Sequence, residues 1–282
     1  MKRIRKFLVL LMIVPFFIFL ASCDNFLNFD NNVNNNVQAV LNYINKIPEE
    51  AVIKTVRVDA TYYKTKNDYL NDNPSASSTG TGVIYKREGT TYYLLTNNHV
   101  TSKTQYKNGY TIFKKAVYSV VDAFNNSFTA DVLYSDVNYD LSLMKFERGL
   151  KYEAESKLGV FEFSYDNLNT SSLLCAIGEC LGQRNSCHYG YYKNTQKFTP
   201  AEETTLISNV TFNVIVHGAY INSGSSGGAL VDENLKLVGI NFASASIEST
   251  SKYLYTYAIP AQKAKEFINN YNEGLSWRIL MI

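Results

Sequence analysis

Short apolar runs at close intervals, an aromatic-rich composition, and glycine, serine and asparagine clusters between the runs predict an all-β chain, built as a sandwich or barrel. Of 282 residues, 46% are hydrophobic, with 22 Tyr and 16 Phe. Such side chains favour a pleated surface over a helix. The runs fall into two sets. The first is Ala51–Tyr63, Gly82–Lys86, Tyr92–Thr96, Ala116–Asp122, Phe128–Tyr134 and Leu141–Phe146. The second is Ser171–Ile177, Tyr189–Lys193, Asn209–Val216, Ala229–Val231, Lys236–Phe242 and Tyr253–Ile259. Ala261–Asn270, after Pro260, has helical spacing.

Ahead of these runs, Lys2, Arg3, Arg5 and Lys6 precede the apolar stretch Phe7–Leu20, followed by Ala21, Ser22 and Cys23. A basic start, a short apolar run and small residues describe a secretory signal over residues 1–22, too short for a comfortable transmembrane helix. Leu20-Ala21-Ser22-Cys23 also resembles a bacterial lipobox, which implies cleavage before Cys23 and lipidation of its thiol. The expected location is the extracellular face of the bacterial cell membrane, lipid-anchored, or secreted. Residues 23–45 contain nine asparagines and read as a flexible tether, although Val37–Ile44 has the spacing of a short helix. The folded part is expected from about residue 46 to 273, with a tail at 274–282. The formal net charge is +2, and no basic patch interleaved with aromatics stands out, which excludes a nucleic-acid partner.

Three stretches carry chemistry. Asn222-Ser223-Gly224-Ser225-Ser226-Gly227-Gly228-Ala229-Leu230 lies between apolar segments and is too rich in glycine and serine for a regular element. A tight loop of this kind exposes a hydroxyl and gathers backbone N–H groups, as acyl transfer requires. Thr96-Asn97-Asn98-His99-Val100 closes one apolar run, and Asp140-Leu141-Ser142-Leu143 opens another. In chain order this gives His, Asp, Ser. With these motifs the chain resembles the trypsin-like serine proteases, most closely their bacterial HtrA-like branch, over roughly Ile53 to Ile268.

The resemblance implies two six-stranded antiparallel β-barrels, about 50–150 and 158–260, a short C-terminal helix over 261–270, and an active site in the cleft between the barrels. Ser226 would be the nucleophile, His99 the general base and Asp140 the group that orients and stabilises the imidazole. The amides of Gly224 and Ser226 would form the oxyanion hole. Periodicity does not separate Ser226 from Ser225; the family pattern selects Ser226. Asp122, Asp131 and Asp136 compete with Asp140 on spacing alone. The expected substrates are peptides or unfolded proteins, with no cofactor and no metal. The rival readings are a binding lipoprotein on the same scaffold and an esterase using the same triad.

This chain departs from the pattern in places. Ser225 stands where digestive members carry Asp, so activation by a new N-terminal ammonium is not expected, and whether the oxyanion loop is pre-formed stays open. The substrate pocket would draw on His217, Tyr220 and Asn222 before the nucleophile and on Asn241 and Ser244 after it. Tyr220 occupies the position that decides basic preference, so strong preference for Lys or Arg is not expected. Cys180 and Cys187 could close a small loop by disulfide, leaving Cys175 odd. With His188 these cysteines also supply four potential zinc ligands, but their spacing matches no common zinc motif. Only 23 residues follow Ile259, too few for a PDZ module, and the catalytic unit is expected to stand alone.

Overall fold

Twelve of the strands close into two barrels in a computed structural model, which describes residues 37–106, 109–247 and 252–280. The signal segment 1–22, Cys23 and most of the tether lie outside the described residues. Tyr43–Ile282 form one compact unit.

The first barrel uses β1 (Thr55–Tyr63), β2 (Ala76–Glu88), β3 (Thr91–Thr96), β6 (Lys115–Val121), β7 (Ser127–Asp136) and β8 (Leu141–Glu147), in the order β1-β2-β3-β8-β7-β6. A two-stranded hairpin, β4 (Thr104–Tyr106) with β5 (Tyr110–Ile112), interrupts it after β3. The second barrel uses β9 (Leu173–Gly178), β10 (Ser186–Lys197), β11 (Asn213–His217), β12 (Ala229–Val231), β13 (Leu237–Ile247) and β14 (Lys252–Pro260), in the order β10-β11-β14-β13-β12-β9. All these pairings are antiparallel.

Side-chain alternation sets the inward faces. Val56, Val58, Ile84, Leu94, Val120, Met144 and Phe146 fill the first barrel. Leu174, Ala176, Ile215, Leu230, Val238 and Ala258 fill the second. Between the barrels lies a third cluster, in which Val83, Leu95, Leu141 and Leu143 meet Ile177, Val214, Ala229 and Ile240. Burying each such side chain contributes about 1.5–3 kcal/mol, so the barrel-to-barrel seam is part of the core rather than a hinge. Phe267 of the C-terminal helix also packs there, stacked on Tyr134 at 5.0 Å.

The helix runs Ala261–Leu280, past the Asn270 end read from spacing. Gly274 costs about 1 kcal/mol relative to alanine but removes no backbone donor, and no proline follows. β2 likewise starts at Ala76, ahead of the expected Gly82, because β1 supplies hydrogen-bond partners to a polar stretch with no apolar alternation. The cysteines also differ from expectation. Cys175, Cys180 and Cys187 are all free thiols. Antiparallel register sets Cys187 opposite Ile177 and Cys175 opposite Tyr189, so Cys187 neighbours Cys175 diagonally on β9, while Cys180 sits in the turn beyond. A hydrogen bond to Cys187 and burial together push the Cys175 thiol well above its ordinary pKa.

Candidate active site

Asp140 ends the turn between β7 and β8 with a left-handed φ of 49°, a conformation that Asp tolerates better than most residues. Its side chain is fully buried, with 0% exposure, and could not remain charged there without partners. The carboxylate accepts the His99 backbone N–H at Oδ1, 3.0 Å. At Oδ2 it meets His99 Nδ1 at 2.8 Å and accepts the Ser208 hydroxyl at 3.0 Å. The Asp140 carbonyl accepts the Asn97 side-chain amide at 2.9 Å and the Asn98 N–H at 3.1 Å. His99 itself sits on a one-turn helix, Asn98–Thr101, directly after β3. A quarter of its side chain is exposed. Burial pulls the ring toward its neutral form, but the Asp140 charge and the hydrogen bond to it outweigh that, and the His99 pKa is raised.

Facing this pair is the loop from Asn222 to Gly228, most of whose backbone N–H groups are hydrogen-bonded. Ser223 N–H donates to Asn222 Oδ1 at 2.7 Å and Ser225 N–H to the Asn222 carbonyl at 2.9 Å. Gly227 N–H donates to the Asn241 carbonyl at 2.8 Å, and Gly228 N–H to the Ser225 carbonyl at 2.9 Å. Among the described residues, the N–H groups of Gly224 and Ser226 alone in this loop run donate to nothing. The Ser223 carbonyl accepts the Leu181 N–H at 2.8 Å. Because a trans peptide points its N–H opposite to its C=O, that bond turns the Gly224 N–H away from the Leu181 turn. Two free, fixed amides beside a serine hydroxyl are what a developing oxyanion needs.

Glycine is required at two points of this loop. Gly224 has φ 94° and a Cβ there would lie 2.1 Å from the Glu179 carbonyl oxygen. Gly227 has φ 82° and its Cβ would lie 2.2 Å from the Thr81 carbonyl oxygen. The loop is held to the first barrel through Thr81 on β2. Thr81 N–H donates to the Ser226 carbonyl and its hydroxyl to the Gly224 carbonyl, each at 2.8 Å. Gly80 beside it is flanked by Val100 and the Ser226 carbonyl, the positions a Cβ would clash with. The loop thus abuts the helix that carries His99. Ser226 is half-buried, and among the described residues neither its hydroxyl nor His99 Nε2 makes a hydrogen bond, to each other or to anything else.

The remaining anticipated residues are dispersed around this centre. His217, on β11, is 1% exposed, its Nδ1 3.0 Å from the Thr256 hydroxyl. Burial pushes its pKa down to about 3, against an opposing influence from Asn241, so its ring is neutral at ordinary pH. Asn241, on β13, is fully buried and donates its side-chain amide to the Ala229 carbonyl at 2.9 Å. Both side chains are buried instead of facing solvent. Tyr220 is half-buried, accepts the Asn222 side-chain amide at 2.7 Å and meets the His188 ring edge-on at 5.2 Å. Ser244 is exposed on β13. Asp122 is a buried partner of Arg148, Asp131 pairs across the sheet with Lys145, and Asp136 caps the turn before Asp140. Among the described residues no cluster of His, Cys, Asp and Glu could hold a metal ion. Thr81 and Ser208, both bonded into the site, carried no sequence signal, because each acts on a residue far along the chain.

Residues 80–240 match the model of the trypsin-like peptidase domain. The chain is 31% identical over 207 residues to the serine protease Do-like HtrA of Bacillus subtilis, covering 71% of this chain and 40% of that protein. It is 28% identical over 195 residues to the serine protease PepD of Mycobacterium tuberculosis, covering 67% of this chain and 40% of that protein. The chain therefore spans about two fifths of the length of these curated relatives. A solved structure of the HtrA-type protease AlgW with a tripeptide aligns with a TM-score of 0.57 at 26% identity, covering 80% of this chain and 62% of that one.

Proposed function

Because this chain belongs to the trypsin-like peptidase family, we propose that it is a serine endopeptidase that cuts peptides or unfolded proteins by an acyl-enzyme route. The observation that carries the reading is the buried Asp140 held 2.8 Å from His99 Nδ1. That contact fixes the ring tautomer and leaves Nε2 as the proton acceptor. Ser226 Oγ would attack the scissile carbonyl while His99 Nε2 takes its proton. The Gly224 and Ser226 amides would receive the oxyanion. His99 would then protonate the leaving amine, and water would repeat the sequence to release the acyl group. The Ser226–His99 bond is absent before substrate binds, in keeping with catalytic hydrogen bonds that tighten in the Michaelis complex. The HtrA-type relative solved with a tripeptide supports a peptide substrate.

A fluorophosphonate probe is expected to label Ser226 in the wild type and to fail in Ser226→Ala and His99→Ala. A folded wild type that never labels would remove the assignment. His99 must be neutral to act as base, and its pKa lies above the ordinary value of about 6.5. Activity should therefore decline as pH falls, with the acid limb of kcat/KM centred above about pH 6.5. A limb centred below that value would mean that Asp140 does not hold the imidazolium as described.

We further infer export and lipid anchoring at the extracellular face of the membrane, from the basic start, the apolar run Phe7–Leu20 and the lipobox-like Leu20–Cys23. In cells, Cys23→Ser is expected to block lipid incorporation and move the protein out of the membrane fraction. Unchanged fractionation would reject the anchor.

A further inference from the structure

The segment between β10 and β11, Phe198–Phe212, is pinned at its base where Phe198 N–H donates to the Phe212 carbonyl at 3.0 Å. It arches from the second barrel onto the first. Three consecutive residues near its end each bond beside a residue of the site. The Ile207 carbonyl accepts the side-chain amide of Asn98, next to His99, at 2.7 Å. The Ser208 hydroxyl donates to Asp140 Oδ2 at 3.0 Å. Asn209 N–H donates to the Val137 carbonyl at 2.8 Å, and its side-chain amide to Asn138 Oδ1 at 2.9 Å, both in the turn that delivers Asp140. Farther back, the Tyr110 hydroxyl donates to the Glu203 carbonyl and accepts the Leu206 N–H, tying the strap to the β4–β5 hairpin.

We propose that Ser208 is a positioning residue for this reaction: carried on the strap, its hydroxyl sets the orientation of the Asp140 carboxylate, so the His99–Asp140 pair is complete only while the strap is seated. The proposal rests on the peptidase reading. Asp140 Oδ2 has two neighbours, the His99 ring and Ser208. With Ser208 in place Oδ2 is held from two directions, while Oδ1 is held by the His99 N–H. Without it, Oδ2 answers to the ring alone. The hydroxyl also draws off part of the carboxylate charge, so its removal leaves more of that charge acting on the ring. Asp140 is the charged group that acts on His99, which makes the ring a direct reporter of the change.

In the full chain, Ser208→Ala is expected to lower kcat for a peptide substrate about tenfold with little change in KM, the size of one lost hydrogen bond to a charged group. The acid limb should move to higher pH, because a less shared carboxylate favours the imidazolium. Ser208→Thr, which keeps the hydroxyl, should restore both. A merely structural role would lower the active-site-titratable fraction and the thermal midpoint but leave the acid limb in place. An unshifted limb with unchanged kcat per titrated site would overturn the proposal. The same comparison in a Ser226→Ala background, following the His99 ring by NMR titration, reads the coupling without turnover. An upward ring shift there, with a wild type that cleaves no peptide, would sink the peptidase reading but keep the Ser208–Asp140–His99 coupling. No ring shift would sink the coupling whatever the activity.

Discussion

Replacing Ser226 or His99 by alanine is expected to lower turnover about 10⁶-fold, and replacing both together no further. The two act as one unit: the hydroxyl is a poor nucleophile unless the ring removes its proton, and the ring has nothing to activate without the hydroxyl. Asp140→Asn should cost about 10⁴-fold. The amide can accept only through Oδ1, so it cannot reproduce both the bond from the His99 N–H at 3.0 Å and the contact to Nδ1 at 2.8 Å. If its NH₂ group faces Nδ1, it stabilises the tautomer that carries the proton on Nε2, where a base must be empty. None of the three changes should cost much stability except at Asp140, whose buried site is built for a charge. The check is kcat of each variant normalised to circular dichroism and thermal midpoint. Loss of less than about a hundredfold in Ser226→Ala would show that the measured hydrolysis belongs elsewhere.

Legibility in the sequence followed chain distance. The nucleophile loop is contiguous, and its glycines at 224 and 227 are where positive φ and close backbone approach leave no room for a Cβ. Strands that are short apolar runs bounded by turn or loop residues, such as β3 and β12, are legible nearly to the residue. β2 was cut short because its first half, Ala76–Thr81, is polar and small, yet that half delivers Thr81 to the loop. Thr81 and Gly224 are 143 residues apart, and Ser208 and Asp140 are 68 apart. No local pattern announces a hydrogen bond across such spans; closure of the two barrels creates it. The cysteines misled for the same reason, since sheet register sets Cys187 beside Cys175 rather than Cys180. His217 and Asn241 were found as neighbours of the loop, but whether they would face substrate or core depended on which way β11 and β13 present them.

Spacing alone also left Asp122 as a rival to Asp140, and its actual task predicts a large stability effect. Asp122 and Arg148 are both fully buried, joined from Nε to Oδ2 at 3.0 Å. The guanidinium is satisfied on its other side by Glu153 Oε1 at 3.1 Å, the Ser156 hydroxyl at 2.7 Å and the Ser156 carbonyl at 2.5 Å. Glu153 in turn pairs with Arg87 and accepts the Tyr92 hydroxyl. Arg148→Ala is expected to destabilise by about 3–5 kcal/mol, because it removes the counter-charge of the buried Asp122 carboxylate. That carboxylate then keeps only neutral donors, the N–H groups of Phe124 and Asn126 and the Asn126 side-chain amide. Arg148→Met refills the volume but not the charge, so it should recover only a minor part. Asp122→Asn in the Arg148→Met background removes the stranded charge and should recover more than Met alone. That order separates electrostatics from packing: if cavity formation dominated, Met alone would repair the loss and the second change would add nothing. Urea unfolding at constant m-value measures it. The backbone carbonyl of Asp122 also accepts Arg184 Nη2 at 2.8 Å, and Arg184 pairs with Glu179 behind Gly224. Loosening the Arg148 cluster should therefore reach the oxyanion loop, and kcat per folded molecule should fall in Arg148→Ala even well below its unfolding midpoint.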